Sequence, residues 1–194
     1  MFPYVLTIID VQYKFDPCET AVLQNIYGMV ERAVQDGAFI IVAHYGDVIV
    51  REKGHPESTL SSILSRIADY GHTAFVAREH RNKSPVIVPI INGLNLASQT
   101  VKVCGLYTDL CIHDTIRGLL RSLPGEYNVE VFLDACIYYR KTGLYRSLAR
   151  FGKMNRLTTI GVPVGHENRQ IKNLLYMTLT IVMVGFVYLI GSVC

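Results

Sequence analysis

A chain of 194 residues with a formal net charge of +3 can form one domain with a substantial core, whereas two full domains would each be small for that length. Its five cysteines, Cys18, Cys104, Cys111, Cys136 and Cys194, are odd in number and show no paired CxxC spacing, which argues against a disulfide framework or a structural zinc site and makes reduced thiols the default. Half of the residues are hydrophobic and the mean hydropathy is +0.26, high for a soluble chain, with the excess gathered near the C-terminus.

The N-terminal MFPYVLTIID lacks a basic start and a cleavage-site pattern, so it reads as a strand rather than a secretory signal. Strands are predicted over Val5–Ile9, Phe39–His44, Ala74–Arg78, Thr100–Cys104, Val129–Leu133 and Leu157–Ile160. Their continuous hydrophobicity suggests burial on both faces. Helices are predicted between them over Thr20–Gln35, Ser58–Tyr70, Leu110–Leu123 and Gly143–Phe151, and over Pro85–Ser98 despite Pro89 and Gly93. Gly37 and Pro124-Gly125 supply stop signals. Strands alternating with helices predict an α/β fold, a Rossmann-like three-layer α/β/α sandwich on a six-stranded parallel sheet.

The domain is expected over residues 1–165, followed by a linker over 166–172 and a hydrophobic C-terminal helix over 173–194. Leu174 to Cys194 contains no charged residue, and about 20 apolar residues suffice to cross a bilayer core. Residues 140–172 hold eight Lys/Arg against one acid, Glu167. Basic residues beside an apolar span stay on the cytoplasmic side and attract anionic head groups. The expectation is therefore a tail anchor on the cytoplasmic face of a membrane. The alternative is a buried terminal helix, packed on the domain or on a second subunit, in a cytoplasmic protein. Nucleic acid is not an expected partner, since no recognition motif or aromatic platform accompanies these charges.

Ligands of open parallel sheets bind where the strands end, and three strand ends carry chemistry. The first delivers Asp10, the third a basic cluster from Arg78 to Lys83, and the fourth leads through Gly105 to Thr108-Asp109-Leu110-Cys111. Thr108 suits a helix N-cap, which would set the Cys111 sulfur among unpaired amides of a first turn and favour its thiolate. A carboxylate that exchanges a proton with the thiol, together with a cation that steadies both charges, would complete an activated nucleophile. A cysteine at a helix start is otherwise a small packed hydrophobe, and Cys104 and Cys136 read as that.

The stretch Ile8–Phe15, IIDVQYKF, resembles the aspartate motif of isochorismatase-like hydrolases, and Val103–Thr115, VCGLYTDLCIHDT, resembles their nucleophile motif. Val129–Cys136, VEVFLDAC, is similar to the family's strand ending in Asp-Ala. The three occur in the family's order and the resemblance covers roughly residues 3–160. It implies Asp10 and Cys111 as two members of a catalytic triad whose third is a lysine. By strand register that lysine falls at Arg78, while Lys83 has the right residue type but lies beyond the strand, so both stay open. The resemblance further implies an oxyanion hole from the backbone N–H groups of Tyr107 and Cys111, a cis peptide at Leu106–Tyr107, and Gln12 and Phe15 lining the pocket. Tyr13 and Lys14 depart from the commoner Asn-Asp pair.

No cofactor is implied. A metal-binding nicotinamidase would need an Asp and three His after the second strand. Here His44, Asp47, His55 and His72 occur, but Ile49 stands where a histidine is required, so no metal is expected. The function implied is cysteine-dependent hydrolysis of a small-molecule amide, nicotinamide or a ureido/carbamoyl compound, through a thioester. The isochorismatase branch hydrolyses a vinyl ether without needing the cysteine. A non-catalytic binding or scaffold protein on the same fold is the other class. Relatives are frequently homo-oligomers.

Overall fold

The computed structural model describes residues 1–15, 20–51, 54–56 and 58–163. Six strands, β1 (Val5–Ile9), β2 (Phe39–His44), β3 (Thr73–Ala77), β4 (Thr100–Leu106), β5 (Asn128–Ile137) and β6 (Leu157–Ile160), form one sheet. All its pairings are parallel and the order is β3-β2-β1-β4-β5-β6. The helices are α1 (Thr20–Asp36), α2 (Ser61–Arg66), α3 (Ser84–Asn92), α4 (His113–Ser122) and α5 (Lys141–Phe151).

Both faces of the sheet are covered, which is why β1 reads VLTII with all five residues buried. Val5 and Ile9 pack with Ile87 and Ile91 of α3, Ile116 and Leu119 of α4 and Phe151 of α5. Leu6 and Ile8 pack on the opposite face with Val22, Ile26 and Val30 of α1 and Ile63 of α2. The spacing of those α1 residues makes one apolar stripe along the helix. Each such buried side chain is worth about 1.5–3 kcal/mol relative to exposure.

The predicted strands are observed with small changes of boundary. β4 and β5 run further at their C-terminal ends, and their pairing shifts register between Val103 and Gly105. The predicted Ser58–Tyr70 helix is only Ser61–Arg66, because the preceding loop is spent on contacts to β1's exit: Leu60 N–H donates to Val11 O at 3.1 Å, and Tyr13 N–H to Ser58 O at 3.1 Å. The Pro85–Ser98 prediction contracts to Ser84–Asn92. Pro89 is carried inside this helix, which ends at Gly93. The hydrophobic helix and membrane anchor expected over 173–194, and the linker before them, lie outside the described residues. Among the described residues no helix is long and apolar enough to cross a membrane.

The strand order reverses at β1 and β4: β2 and β3 lie to one side, β5 and β6 to the other. A crevice opens at such a switch point, beyond the carboxyl ends of the strands. Gly105, paired with Ile9 at this end, has a φ of +122°, and a β-carbon there would overlap Ile9's backbone carbonyl. Only glycine lets β4 lie this close to β1 where Asp10 leaves the sheet.

Candidate active site

Asp10 follows β1 with a φ of 54°, a left-handed conformation that Asp tolerates better than most residues. Its amide donates to Ala43 O at 2.8 Å and its side chain is 1% exposed. Burial raises the carboxyl pKa to about 6, against the pull of Lys83 in the opposite direction. Neither carboxyl oxygen has a well-aligned hydrogen-bond partner, so the group keeps accepting capacity.

Lys83 supplies the cation. It is 0% exposed, and its Nζ lies 3.3 Å from Asp10 Oδ1. That is an ion-pair distance, although the approach is off the direction of a good hydrogen bond. The ammonium donates instead to Arg78 O at 2.8 Å and His80 O at 2.7 Å, and it sits 4.4 Å from the Tyr45 ring centroid. Desolvation lowers its pKa while Asp10 raises it. The loop before α3 is pinned to α4 by Thr115, whose Oγ1 accepts from Lys83 N–H at 2.9 Å and donates to Arg81 O at 3.2 Å. Gly118 of α4 lets Ser84 pack against it where a β-carbon would collide. Arg78, the alternative by strand register, takes part through its backbone: its N–H donates to His44 O at 3.2 Å and its carbonyl receives Lys83. The guanidinium of Arg78 is not part of the cavity wall, so that half of the expectation is corrected. Register located the strand end, but the long lysine side chain reaches back to it from the helix start.

Cys111 lies in a π-helical turn, Thr108–Ile112, that leads into α4. Such turns are rare and are concentrated at functional sites. Tyr107 O accepts from both Leu110 N–H, at 3.0 Å, and Ile112 N–H, at 3.1 Å, and the Leu106–Tyr107 peptide is cis. Thr108 does not cap the turn: its hydroxyl donates to Ile137 O at 3.1 Å. Asp109 holds the next connection, accepting from Tyr139 N–H at 2.7 Å and Arg140 N–H at 3.1 Å. The thiol of Cys111 is 6% exposed. Burial pushes its pKa well above the ordinary thiol range, Asp10 adds to this, and Lys83 and Arg81 oppose it. The expectation that a helix start would favour the thiolate is not met: burial first, and then the adjacent Asp10 carboxylate, hold the thiol in its protonated form.

Asp10 and Cys111 share a cavity of about 250 Å³ whose walls are the rings of Phe15, Tyr45, Tyr107 and Tyr139, with Leu110 and Arg81. The rings meet edge to face, at 6.1 Å for Phe15–Tyr45, 6.0 Å for Phe15–Tyr107 and 5.5 Å for Tyr107–Tyr139. Gln12, expected to line the pocket, is instead fully buried behind it. Its Oε1 accepts from Tyr45 N–H at 2.7 Å and its Nε2 donates to Tyr45 O at 3.3 Å, so it acts on the cavity by fixing Tyr45. The sequence reading missed Tyr45, Arg81, Leu110 and Tyr139. Of these Arg81 carried a signal as part of the basic run after β3 and Leu110 as part of the stretch leading to Cys111, whereas Tyr45 and Tyr139 carried none. A larger hollow of about 310 Å³ between α1 and the sheet, containing Lys102 and Phe132, has no nucleophile with a base beside it.

Two of the histidines considered for a metal lie apart. His44 is buried with its Nε2 2.7 Å from Thr59 Oγ1. His72 precedes β3 at the opposite end of the sheet, packed on Phe2 and Tyr70 at 5.0 and 5.4 Å. Ile49 is 42% exposed. Among the described residues no three His, Cys, Asp or Glu side chains are grouped to hold an ion.

No protein-family model and no curated protein matches the chain. Solved structures do. The nicotinamidase of Staphylococcus aureus superposes with a TM-score of 0.67 at 12% identity, over 83% of this chain and all of that one. The MAR1 ribonuclease of Caenorhabditis elegans gives 0.65 at 16%, over 92% of each chain. An isochorismatase-like hydrolase from Alkaliphilus metalliredigens gives 0.59 at 12%, over 81% of this chain and 92% of that one. The chain has the isochorismatase-like hydrolase fold. The pyrazinamidase of Pyrococcus horikoshii in complex with zinc gives a TM-score of 0.60 at 14% identity, over 81% of this chain and 98% of that one.

Proposed function

We propose that the protein is a cysteine-dependent amidohydrolase of small amides. The observation that carries this reading is the meeting of Cys111, Asp10 and Lys83 at an aromatic cavity on the switch point of the sheet. The elevated thiol and the Asp10 carboxyl, with a pKa of about 6, suit a concerted transfer: near neutral pH Asp10 is ionised and the thiol is not. Cys111 Sγ bonds to the amide carbonyl carbon as its proton passes to Asp10, and the tetrahedral oxyanion is received by the N–H groups of Tyr107 and Cys111. Collapse breaks the C–N bond, Asp10 returns the proton, and ammonia leaves. Water then attacks the thioester with Asp10 as base, releasing the acid and the thiol. Lys83 holds the Asp10 carboxylate in place and limits how far burial raises its pKa.

Ammonia release from nicotinamide, pyrazinamide and carbamoyl compounds tests the reading, alongside mass spectrometry of acid-quenched enzyme for an acyl adduct on Cys111. Turnover with an adduct on Cys111 supports it. A binding or scaffold protein would give neither, and a vinyl ether hydrolase would act without Cys111. Membrane attachment through residues 173–194 is a separate proposal resting on their sequence, tested by whether the full-length protein partitions into detergent.

A further inference from the structure

Among the charged residues at the cavity, one has no assigned task. Asp10 is matched by Lys83. Lys14 is committed: its Nζ donates to Tyr45 O at 2.7 Å and lies over the Phe15 and Tyr45 rings at 5.3 and 5.0 Å. Arg81 stands in the cavity wall, and among the described residues its guanidinium has neither a hydrogen bond nor an ion pair. Its backbone is nonetheless held, since its carbonyl accepts from Thr115 Oγ1 at 3.2 Å while His80 Nδ1 accepts from Asn82 N–H at 3.0 Å on the next turn of the loop. Among the described residues Asp10 is the only acid in the wall, so Arg81 is positive charge in excess of the catalytic pair.

We infer that Arg81 is a specificity-determining residue and that the substrate is a small planar amide bearing a carboxylate. Resting on the amidohydrolase reading, this names its substrate class. Four aromatic rings around about 250 Å³ suit a flat acyl group, by stacking and edge contact. A guanidinium offers a carboxylate a planar, bidentate fork. With His44 and His72 engaged elsewhere, Arg81 is the group in the wall able to orient such a ring by charge.

The test compares benzamide with 3-carbamoylbenzoate and 4-carbamoylbenzoate on wild type, Arg81→Gln and Arg81→Lys, and measures binding of the benzene dicarboxylates by calorimetry. One carbamoylbenzoate should exceed benzamide in kcat/KM by about 10- to 100-fold, as expected for hydrogen bonds to a charged group. Arg81→Gln should erase that preference through KM and weaken dicarboxylate binding by the same factor. Arg81→Lys should retain part of it, as a point charge without the fork. Benzamide equal to or better than the acids in wild type, or a preference that survives Arg81→Gln, would overturn the inference while leaving the amidohydrolase reading standing. If wild type hydrolyses none of the three, the calorimetry decides alone: binding lost in Arg81→Gln sustains the carboxylate site, and binding unchanged or absent removes it.

Discussion

The loops that leave β4 and β3 deliver their chemistry by different routes. After β4 every functional residue is carried by local backbone: Gly105 permits the close approach, Tyr107 receives two amides and Cys111 follows in the same turn. After β3 the position in line with the strand, Arg78, contributes a carbonyl, and the ammonium arrives from Lys83 five residues later. Where backbone geometry places the group, sequence spacing locates it. Where a long side chain places it, the same point in space is reachable from several positions in the chain, and spacing alone does not choose between them.

The comparison breaks first if the β4 loop does not carry the nucleophile. Cys111→Ala should lower kcat by more than about 10⁴-fold, beyond the 10²–10⁴ range typical of one proton-transfer group, because the covalent route itself is lost. Circular dichroism should be unchanged, since little volume is removed. Asp10→Asn should lose about 10²- to 10⁴-fold in kcat, and it also leaves Lys83 buried without its counter-ion, so a fall in melting temperature is expected with it. Retention of most activity in either variant would detach that residue from the chemistry.

The β3 loop is tested by Lys83→Met, expected to cost about 100-fold or more in kcat/KM. Its pH profile separates a positioning cation from a merely structural one. In wild type, activity should rise with Asp10 ionisation and be half-maximal near pH 6, the pKa that burial gives this carboxyl. Because Lys83 pulls that pKa down, removing it disfavours the carboxylate further, so the acid limb should move to higher pH. A limb that stays at 6 in Lys83→Met would mean that the ion pair does not act on Asp10.

Most of the fold was legible because each strand is a short apolar run that must be buried on both faces, and Ile9, Leu106 and Ile137 all end in covered positions. That Asp10 and Cys111 come together was legible because they follow strands that pair directly. The cavity walls were not. Tyr45 and Tyr139 come from separate connections, and nothing local in their sequence distinguishes a wall from a solvated loop. The upward shift of the Cys111 thiol is not legible for a related reason: it comes from burial beside Asp10, and burial is a tertiary fact. Asp109 is an intermediate case, since its pairing with Tyr139 and Arg140 is unseen in sequence but testable. Asp109→Ala should cost about 1–3 kcal/mol in unfolding free energy, from two charge-assisted hydrogen bonds. It should also raise KM several-fold, because Tyr139 is part of the wall.

The smallest expected effect is the most discriminating between the two loops. Arg78→Ala retains the carbonyl that accepts from Lys83 Nζ at 2.8 Å and the N–H that donates to His44 O at 3.2 Å, and so preserves every contact Arg78 makes to the site. It removes only a half-exposed guanidinium outside the cavity wall. Long-range charge is screened over about 8–10 Å at ordinary ionic strength, so kcat/KM should stay within about threefold of wild type, with the acid limb still near pH 6. Arg78→Pro should behave otherwise. It removes the N–H that ties the strand end to β2 and fixes φ there, displacing the carbonyl on which Lys83 rests, and should approach Lys83→Met in its loss of activity. If Arg78→Ala were instead as damaging as Lys83→Met, the guanidinium itself would be the cation of the site and strand register would have identified it correctly.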